Sequence, residues 1–554
     1  MAGRDVGSSP AKRGRGTTRS VVEGAPLITL GEALIALLER HGVDTVFGIP
    51  GVHTIELYRG LARSKIRHVT PRHEQGAAFM ADGYARASGK PGVAFVITGP
   101  GLTNAMTAMA QARADSIPML VISGVNAMAS LGKGLGFLHE LPDQRGMMEK
   151  VALSSTRVER ATDLQPALAA AFARFATGRP GPVHIEVPLD AMPLPAAPLR
   201  SFDGPDRPPE PDEIAVRAGA RLLAESSRPV ILVGGGARGA ERQLKTLAEL
   251  LDAPVVATAN ARGLLHAHPL LVPASPSLKP VRRLIDGADL AIAVGTEFGP
   301  TDYDMYADGG FTMPPNLVRI DIDAEQLDRR PATVRIEADA AEGVDALLAT
   351  VSLGARYQAG SPGSGRAATC RAEARAGLTP EMLGQLHAVE AIRDALPGSL
   401  IVGDSTQPVY AANLYYDHDR AGGWFNAATG YGALGYGPAA AVGAALARPD
   451  VPVVCLTGDG GFQFTLPEIA VAVDAGAPVI FVVWNNRGYR EIEVSMRDAG
   501  VEPVGVSPAP PDFLKIADAY GMPAERLTDA GDLPAALARA RSTGKAGLIE
   551  IVVA

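Results

Sequence analysis

The sequence predicts an α/β protein built from three doubly wound parallel-sheet domains. Short apolar runs rich in β-branched residues, such as 453–456 and 479–484, indicate buried parallel strands. Helical patterns alternate with these runs, and two stretches rich in proline or glycine divide the alternation into three parts. A chain of 554 residues also exceeds what one hydrophobic core usually serves, which predicts about three domains.

The first domain is predicted over residues 27–195. Thr29 and Glu32 have the spacing of a helical capping box, and apolar residues follow at helical intervals. Residues 1–26 carry basic side chains among Gly, Ser and Thr but lack the apolar segment of a signal peptide, which predicts a disordered tail. An organelle presequence is disfavoured because no amphipathic helix is visible there. Strands are predicted at 45–47, 67–70, 93–97, 119–123 and 183–187.

The central domain is predicted over residues 205–352, after a proline-rich stretch. Its first strand, 230–233, leads into a G-x-G-x-x-G sequence at 234–239. The next strand, 255–258, ends without the acidic residue that binds ribose in dinucleotide-binding proteins, so NAD binding is disfavoured. A linker is predicted over 353–378, where a Gly- and Ser-rich segment begins.

The third domain is predicted over residues 379–554. Thr465 and Glu468 have a second capping-box spacing. The closing strand, with Leu-Ile-Glu-Ile at 548–551, resembles the closing strand of the first domain, with His-Ile-Glu-Val at 184–187, which indicates a duplication. Strands are predicted at 400–402, 453–456, 479–484 and 548–553, and helices at 408–414, 436–447, 465–475 and 533–541.

Two polar turns follow neighbouring strands of this third domain. The sequence Gly-Asp-Gly at 458–460 follows one strand, and Asn-Asn-Arg-Gly at 485–488 follows the next. A right-handed crossover places both turns on one rim of the sheet. Asp459 and Asn486 supply the hard oxygens that Mg²⁺ prefers, and an ion with so few protein ligands usually binds phosphate oxygens as well. The pair therefore predicts a metal-bound diphosphate, against the alternative of two ordinary turns.

On these motifs the chain resembles the thiamine-diphosphate-dependent enzymes of the acetolactate synthase and 2-oxo acid decarboxylase superfamily, over nearly all of its length after the first two dozen residues. The resemblance implies pyrimidine-binding, central and diphosphate-binding domains, with thiamine diphosphate and Mg²⁺ as cofactors. Asp459, the Asn486 side chain and the Gly488 carbonyl would hold the metal. The central domain binds FAD in some members, so FAD is possible here, although no residue supports it.

The resemblance also assigns residues to the cofactor. Glu74 matches the carboxyl group that contacts the aminopyrimidine ring, and Leu434 matches the apolar residue that bends the cofactor between its rings. Thr406 and Gln407 have donors suited to the diphosphate oxygens. Taken alone, Glu74 is also consistent with an acid that interacts with the helix dipole. Leu434 is also consistent with a leucine that only packs in the core. The remaining residues predicted to contact the cofactor are Gly458, Gly460 and Gly461.

The substrate side differs from the pyruvate decarboxylase branch of the superfamily. That branch carries adjacent histidines and further acids, whereas this chain has Gly-Pro-Gly at 99–101, Val52 and Ile492 in their places. The chain is more similar to the acetolactate synthase branch, but with Leu-His-Glu at 138–140 where that branch has Phe-Gln-Glu. His139 is the candidate general acid near the substrate, against the alternative of a surface histidine.

The segments 48–54, 138–142, 295–297 with 301–304, and 403–408 together resemble the 5-guanidino-2-oxopentanoate decarboxylase family. They predict non-oxidative decarboxylation of that 2-oxo acid to 4-guanidinobutanal and CO₂. The alternatives are an acetolactate synthase-like carboligase acting on pyruvate, an FAD-dependent oxidase, and an inactive scaffold, which the intact motifs argue against. A guanidinium tail calls for a carboxylate with bidentate geometry. The candidate acids are Glu140, Glu297, Asp302, Asp304, Asp404 and Glu491.

Composition and resemblance together set the expected partners. The counterpart of Glu74 reaches a cofactor whose diphosphate is bound by another subunit, which implies a homodimer or homotetramer with active sites at the subunit interface. A net charge of -8 argues against nucleic acid as a partner. No apolar run is long enough to span a bilayer. Cys370 and Cys455 indicate no disulfide framework, so a cytoplasmic location is predicted.

Overall fold

The computed structural model describes residues 28–200, 204, 206–309, 311–352 and 362–553. It contains three parallel sheets of six strands, which confirms the predicted fold class. Buried apolar residues cover both faces of each sheet. The predicted tail lies outside the described residues, and the domain boundaries stay predictions. Within the described ranges, no helix has the length and apolarity needed to cross a membrane.

The first unit has the strand order β2-β1-β3-β4-β6-β5. Its helix α1 begins with the predicted capping box, because Thr29 accepts from the Glu32 N–H and the Glu32 side chain accepts from the Thr29 N–H. Its strands are β1 (Thr45–Gly48), β2 (Arg67–Val69), β3 (Gly92–Val96), β4 (Met119–Val125), β5 (Ser154–Arg157) and β6 (Pro182–Pro188). Its helices are α1 (Leu30–Arg40), α2 (Ile55–Leu61), α3 (Glu74–Ser88), α4 (Pro100–Ala114), α5 (Gln144–Met148) and α6 (Leu164–Thr177).

The central unit has the strand order β12-β11-β10-β7-β8-β9. The Gly-rich sequence predicted after its first strand forms a 3₁₀ helix, Gly235–Ala240. Its strands are β7 (Pro229–Val233), β8 (Val255–Ala257), β9 (Leu271–Val272), β10 (Leu290–Val294), β11 (Asn316–Asp321) and β12 (Val334–Glu337). Its helices are α7 (Glu213–Glu225), α8 (Glu241–Leu251), α9 (Lys279–Asp286), α10 (Pro300–Tyr303), α11 (Ala324–Asp328) and α12 (Ala340–Thr350), and α13 (Gly363–Ala376) follows in the predicted linker.

The third unit has the strand order β14-β13-β15-β16-β18-β17, the same as the first unit. Its strands are β13 (Leu400–Gly403), β14 (Trp424–Asn426), β15 (Val453–Gly458), β16 (Val479–Asn485), β17 (Ala524–Leu527) and β18 (Gly547–Val552). Its helices are α14 (Pro380–Ala395), α15 (Gln407–Leu414), α16 (Tyr436–Ala447), α17 (Asp459–Phe464), α18 (Ile469–Asp474), α19 (Arg490–Asp498), α20 (Phe513–Ala519) and α21 (Leu533–Ser542).

The first and third units also share a buried ion pair on their closing strands. Glu186 on β6 pairs with Arg157 on β5 at 2.6 Å, and Glu550 on β18 pairs with Arg526 on β17 at 2.7 Å. Both glutamates are almost fully buried. The similarity of the two closing strands therefore extends from the sequence to strand order and to a specific contact, as a duplication predicts.

The helix predicted over 465–475 is present over 466–474, but its first turn is a 3₁₀ helix and a separate helix, which was not predicted from the sequence, precedes it. Helix α17 begins at Asp459, directly after β15, and a 3₁₀ turn at Leu466–Glu468 separates it from α18. Pro467 lacks an N–H group and cannot continue a helix from α17. The predicted capping box is wrong, because Thr465 makes no capping bond and its hydroxyl donates to the Gly435 carbonyl at 2.6 Å.

Helix α3 of the first unit packs directly on helix α16 of the third unit. A Cβ atom on Gly83 would lie 1.9 Å from the Ala440 carbonyl oxygen, and one on Gly443 would lie 1.9 Å from the Met80 carbonyl oxygen. The two backbones touch because both contact positions are glycine. The pairing of residue 80 with 443 and of 83 with 440 shows that the helices run antiparallel. Their contact lies within the apolar core shared by the first and third sheets.

Replacing Gly83 by Ala should destabilise the protein, because a methyl group cannot fit beside the Ala440 carbonyl without moving a helix. We expect a loss of about 2 kcal/mol or more, seen as a lower thermal midpoint. Gly384→Ala in α14 is the matched control, because a Cβ there meets no atom within 4 Å. An equal midpoint for the Gly83 variant and the wild type would contradict this account of the contact.

Candidate active site

A cavity of about 360 Å³ lies at the carboxyl ends of β13, β15 and β16. The strand order reverses between β13 and β15, and such a switch point is where open α/β sheets bind ligands. The cavity brings together all the residues predicted to bind metal or cofactor except Glu74. They are Thr406, Gln407, Leu434, Gly458, Asp459, Gly460, Gly461, Asn486 and Gly488.

Three oxygen atoms converge on one side of the cavity. Asn486 Oδ1 lies 2.8 Å from the Gly488 carbonyl oxygen and 3.1 Å from Asp459 Oδ1. Octahedral Mg²⁺ with bonds near 2.1 Å holds neighbouring oxygen ligands about 3 Å apart. Asp459 Oδ2 is buried without a hydrogen-bond partner in the described part of the chain, and burial raises the pKa of this carboxyl group. The donor set therefore fits Mg²⁺, whose charge would stabilise the ionised carboxylate.

The neighbours of Asn486 fix the direction of its amide. Its Nδ2 atom donates to Gln407 Oε1 at 3.0 Å, and Gln407 Nε2 donates to Glu381 Oε1 at 3.3 Å. A carboxylate only accepts, so Gln407 presents its oxygen to Asn486 and Asn486 presents its own oxygen to Asp459 and Gly488. The reverse orientation would place two amide oxygens against each other. Gln407, predicted as a diphosphate donor, thus also orients a candidate metal ligand.

Glycine is required at two positions of the metal loops. Gly488 has φ +154°, and a Cβ there would lie 2.4 Å from the Val506 carbonyl oxygen. A Cβ on Gly460 would lie 2.5 Å from the Tyr489 ring. Any other residue at position 488 would therefore push the loop away from the Val506 backbone, and one at position 460 would displace the Tyr489 ring.

Asp404 holds the turn that carries Leu434. Its carboxylate is fully buried and accepts from the backbone N–H groups of Ser405, Gly435 and Gly437. Burial raises the pKa of Asp404 to about 6. The Leu434 side chain reaches the cavity from this turn. Asp404 therefore stabilises this turn, and its carboxylate is not available at the cavity entrance to bind a guanidinium group.

Thr406 occupies the N-cap position of α15, yet its hydroxyl makes no capping hydrogen bond. Asp459, Gly460 and Gly461 begin α17 and line the same cavity, and the first N–H groups of a helix have no acceptor within the helix. Hydroxyl and N–H donors at one rim are suited to phosphate oxygens. The prediction that Thr406, Gly460 and Gly461 bind the diphosphate therefore has a geometric basis.

Glu74 and His139 lie elsewhere, at the carboxyl rim of the first sheet. Glu74 begins α3, and its Oε2 accepts from Asn104 Nδ2 at 2.9 Å. His139 Nδ1 lies 3.1 Å from the Thr98 carbonyl oxygen, so this nitrogen carries the proton and donates it to that oxygen. Its ring lies 5.0 Å from that of His53. These side chains form a second group, separate from the metal cavity.

The antiparallel packing of α3 on α16 keeps the two groups apart within one chain. Glu74 precedes Met80 by six residues, and Leu434 precedes Ala440 by six residues in the opposite direction. Three further residues separate Met80 from Gly83, which faces Ala440, so at 1.5 Å per residue the two side chains are roughly 22 Å apart along the helices. One chain therefore does not bring its two groups of candidate residues together.

Sequence reasoning missed His53 and Asn104. Burial and the nearby His139 lower the pKa of His53, which favours its neutral form. The turns after β1 and β4 bring the two histidines together, and no local sequence pattern predicts that contact. Asn104 lies in the first turns of α4, where its sequence context gives no sign that it binds Glu74.

Of the six acids considered for a guanidinium tail, only Glu491 lines the cavity. Burial and the nearby Glu381 raise the pKa of Glu491, and its neighbour Arg490 pairs with Glu493 instead. The other five bind the protein's own N–H or basic groups. They are Glu140, Glu297, Asp302, Asp304 and Asp404.

A second cavity, of about 460 Å³, lies at the carboxyl ends of β7 and β10 in the central sheet. This is the switch point of that sheet, and the Gly-rich residues 234–236 form part of its wall. Burial raises the pKa of Asp321 in this wall to about 6. The resemblance allows FAD in this domain without predicting it.

Comparison with known proteins adds the family. Models of the thiamine pyrophosphate enzymes match the chain in three parts: the N-terminal TPP binding domain over residues 28–147, the central domain over 216–347 and the C-terminal TPP binding domain over 404–551. A probable 2-ketoarginine decarboxylase of Pseudomonas aeruginosa is 44% identical over 512 residues, which cover 91% of this chain and 90% of that protein. The chain belongs to the thiamine pyrophosphate enzymes.

More distant thiamine pyrophosphate enzymes are acetolactate synthases. A probable large subunit from Methanocaldococcus jannaschii is 29% identical, covering 94% of this chain and 91% of that protein. The isozyme 3 large subunit of Escherichia coli is 30% identical, covering 93% and 92%. These findings confirm the predicted resemblance and the dependence on thiamine diphosphate.

Asp459→Asn should weaken metal binding, because the amide keeps the shape of the side chain but removes its charge. We expect the half-saturating Mg²⁺ concentration for thiamine diphosphate binding to rise about tenfold or more. Titration calorimetry of the cofactor at several Mg²⁺ concentrations measures this. Asp450→Asn is the control, because Asp450 pairs with Arg448 on the surface. An unchanged Mg²⁺ requirement in the Asp459 variant would remove it from the metal site.

Proposed function

We propose that this enzyme decarboxylates 5-guanidino-2-oxopentanoate, which is 2-ketoarginine, to 4-guanidinobutanal and CO₂ in the cytoplasm. The observation that carries the proposal is one cavity lined both by three converging oxygen atoms and by Glu491, whose carboxylate has no partner among the described residues. The name of the relative at 44% identity supports the substrate.

The reaction breaks the bond between C1 and C2 of the 2-oxo acid. The carboxylate leaves as CO₂, the electron pair remains at C2, and one proton added at C2 completes the aldehyde. Bound thiamine diphosphate supplies the electron sink for that pair. Atoms and electrons balance without an oxidant, so the proposal requires no FAD.

The cavity binds the charged end of the cofactor in this proposal. Asp459, the Asn486 side chain and the Gly488 carbonyl hold Mg²⁺, with Gln407 keeping the amide in place. Thr406 and the N–H groups at the start of α17 donate to the diphosphate. Leu434 would contact the cofactor from the cavity wall.

A second subunit completes the site. Glu74 and His139 of one chain would meet the metal cavity of another, since one chain separates them. Large apolar side chains are exposed near both groups, which is costly in a monomer and typical of an interface. Near Glu74 and His139 they are Val52, Ile55, Leu135, Phe137 and Leu138, and near the cavity they are Tyr431, Phe464 and Ile492. His139 would supply the proton at C2, and Glu74 would contact the aminopyrimidine ring.

Glu491 would bind the guanidinium group of the substrate. A carboxylate can accept two parallel hydrogen bonds from a guanidinium, which fixes both charge and direction. Tyr410 lines the same cavity as Glu491, so an aromatic ring is available beside the proposed position of the guanidinium. Such rings attract a guanidinium through their faces.

A carboligase acting on pyruvate is the second candidate. The acetolactate synthases at 29% and 30% identity cover nearly the whole chain. That reaction would place a second carbonyl compound where the proposal places a proton donor. The product formed from each 2-oxo acid decides between the two.

Glu74→Gln should lower turnover by about 10²-fold or more, in the range for a positioned proton-transfer group. The amide keeps the hydrogen-bonding shape but cannot serve as the acid. Steady-state decarboxylation measures this, with Glu373→Gln on exposed α13 as the control. Near-normal turnover of the Glu74 variant would take Glu74 out of the mechanism.

The substrate itself gives the next prediction. kcat/KM for 5-guanidino-2-oxopentanoate should exceed that for pyruvate, and Glu491→Gln should lower it by about 10- to 100-fold, the value of a charged hydrogen bond. Turnover of pyruvate should not change in that variant. Glu493→Gln is the control, because Glu493 pairs with Arg490 and Arg497. A preference for pyruvate, with acetolactate as product, would favour the carboligase instead.

A further inference from the structure

Glu468, from the third unit, lies at the N-terminal end of α3 in the first unit. Its Oε1 atom accepts from the His73 N–H at 2.9 Å and from the Arg72 N–H at 3.1 Å, and its Oε2 atom accepts from the Arg72 N–H at 3.0 Å. The side chain is almost fully buried. A glutamate is rarely buried unless its carboxylate has partners, and here the partners are backbone groups of another domain.

The contact replaces a missing part of a capping box. In a capping box the glutamate at the third helical position accepts from the N–H of the N-cap residue. His73 is the N-cap of α3, and the third position is Gly76, which has no side chain. A Cβ on Gly76 would lie 2.3 Å from Glu468 Oε1. Glu468 thus occupies the space of the missing glutamate and performs its role from a distant part of the sequence.

This contact acts on the backbone that carries Glu74. Glu74 is the first residue of α3 and directly follows His73. Its side chain is held by Asn104, but its backbone position depends on where the N-terminal turn of α3 is fixed. The Glu468 hydrogen bonds to residues 72 and 73 set that position.

The segment 465–468, which ends at Glu468, also contacts the turn that carries Leu434 into the metal cavity. Glu468 ends the 3₁₀ turn that follows Thr465, and the Thr465 hydroxyl donates to the Gly435 carbonyl at 2.6 Å. Gly435 follows Leu434 in the cavity wall. One turn of four residues therefore fixes both Glu74 and Leu434 relative to the shared core.

We propose that Glu468 is a positioning residue for the reaction: it caps α3 from another domain and so holds Glu74 where the cofactor of the partner site requires it. This rests on the proposed role of Glu74. Arg72 makes a second contact with α18, an ion pair from its side chain to Asp474. That pair is exposed and leaves the N-cap of α3 untouched, so it provides a matched control.

The first test compares Glu468→Gln, Glu468→Ala and Asp474→Asn in the holoenzyme. The glutamine keeps the volume but turns an NH₂ group toward a backbone donor, and the alanine removes the acceptor. We expect turnover to fall about tenfold with glutamine and further with alanine, while half-saturating thiamine diphosphate stays within about twofold. Asp474→Asn should match the wild type. Wild-type turnover in both Glu468 variants would overturn the proposal.

Hydrogen exchange gives a readout that does not depend on turnover. Amide groups in peptides spanning 71–77 should exchange faster in the Glu468 variants, because their acceptor is lost, while peptides spanning 453–461 keep the wild-type rate. Unchanged exchange at 71–77 would contradict the capping role. Faster exchange across the whole protein would show a general loss of stability and would also overturn the proposal.

A double variant separates positioning from an independent effect. If Glu468 acts through Glu74, adding Glu468→Gln to Glu74→Gln should change turnover by less than about twofold. Full multiplication of the two single losses would refute action through Glu74. If Glu74→Gln alone were fully active, the proposed function of Glu74 would fail, whereas the exchange at 71–77 would still report on the cap.

Discussion

The direct contact of α3 with α16 is the constraint on which the rest of the structure depends. It brings two backbones together at Gly83 and Gly443 and joins the first and third sheets through one apolar core. Polar interactions also hold the two helices together. Asp82 on α3 forms a buried ion pair with Arg86 and accepts a hydrogen bond from the Tyr436 hydroxyl on α16. Because the helices run antiparallel, each chain presents its two groups of candidate site residues at opposite ends. The proposal that a partner subunit completes the site rests on this packing.

The sequence predicted those features whose cause is local. The loops that carry Asp459 and Asn486 directly follow buried strands, so strand pattern and motif were enough to place them on one rim. Leu434 depended on the family resemblance, since a leucine in a Gly-rich turn has no signature of its own. Glu468 shows the limit of local reasoning. Its spacing from Thr465 was that of a capping box, yet the helix it caps is α3. The N-cap of that helix, His73, is 395 residues away from Glu468 in the sequence.

Substrate choice could not be predicted from residue type, because all six acids lie on segments that could line the cavity entrance. Packing distinguishes them: Asp404 is buried under the Leu434 turn, whereas Glu491 faces the cavity. Glu491 lies one turn beyond the loop with Asn486 and Gly488. In the proposed enzyme, metal binding and recognition of the substrate tail thus lie on one segment. In this proposal, neighbouring residues provide both the metal binding common to the family and the substrate specificity of this member.

Mixing two impaired variants, at a Mg²⁺ concentration that saturates the wild type but leaves the Asp459 variant without bound cofactor, tests the central claim most directly. In a hybrid of Glu74→Gln and Asp459→Asn chains, one site would contain both substitutions and the other would contain neither. If each site takes Glu74 from one subunit and the metal cavity from the other, random re-assembly should restore about a quarter of wild-type turnover. If both residues of a site came from the same chain, every site would keep one substitution and the mixture would stay inactive, which would contradict the account.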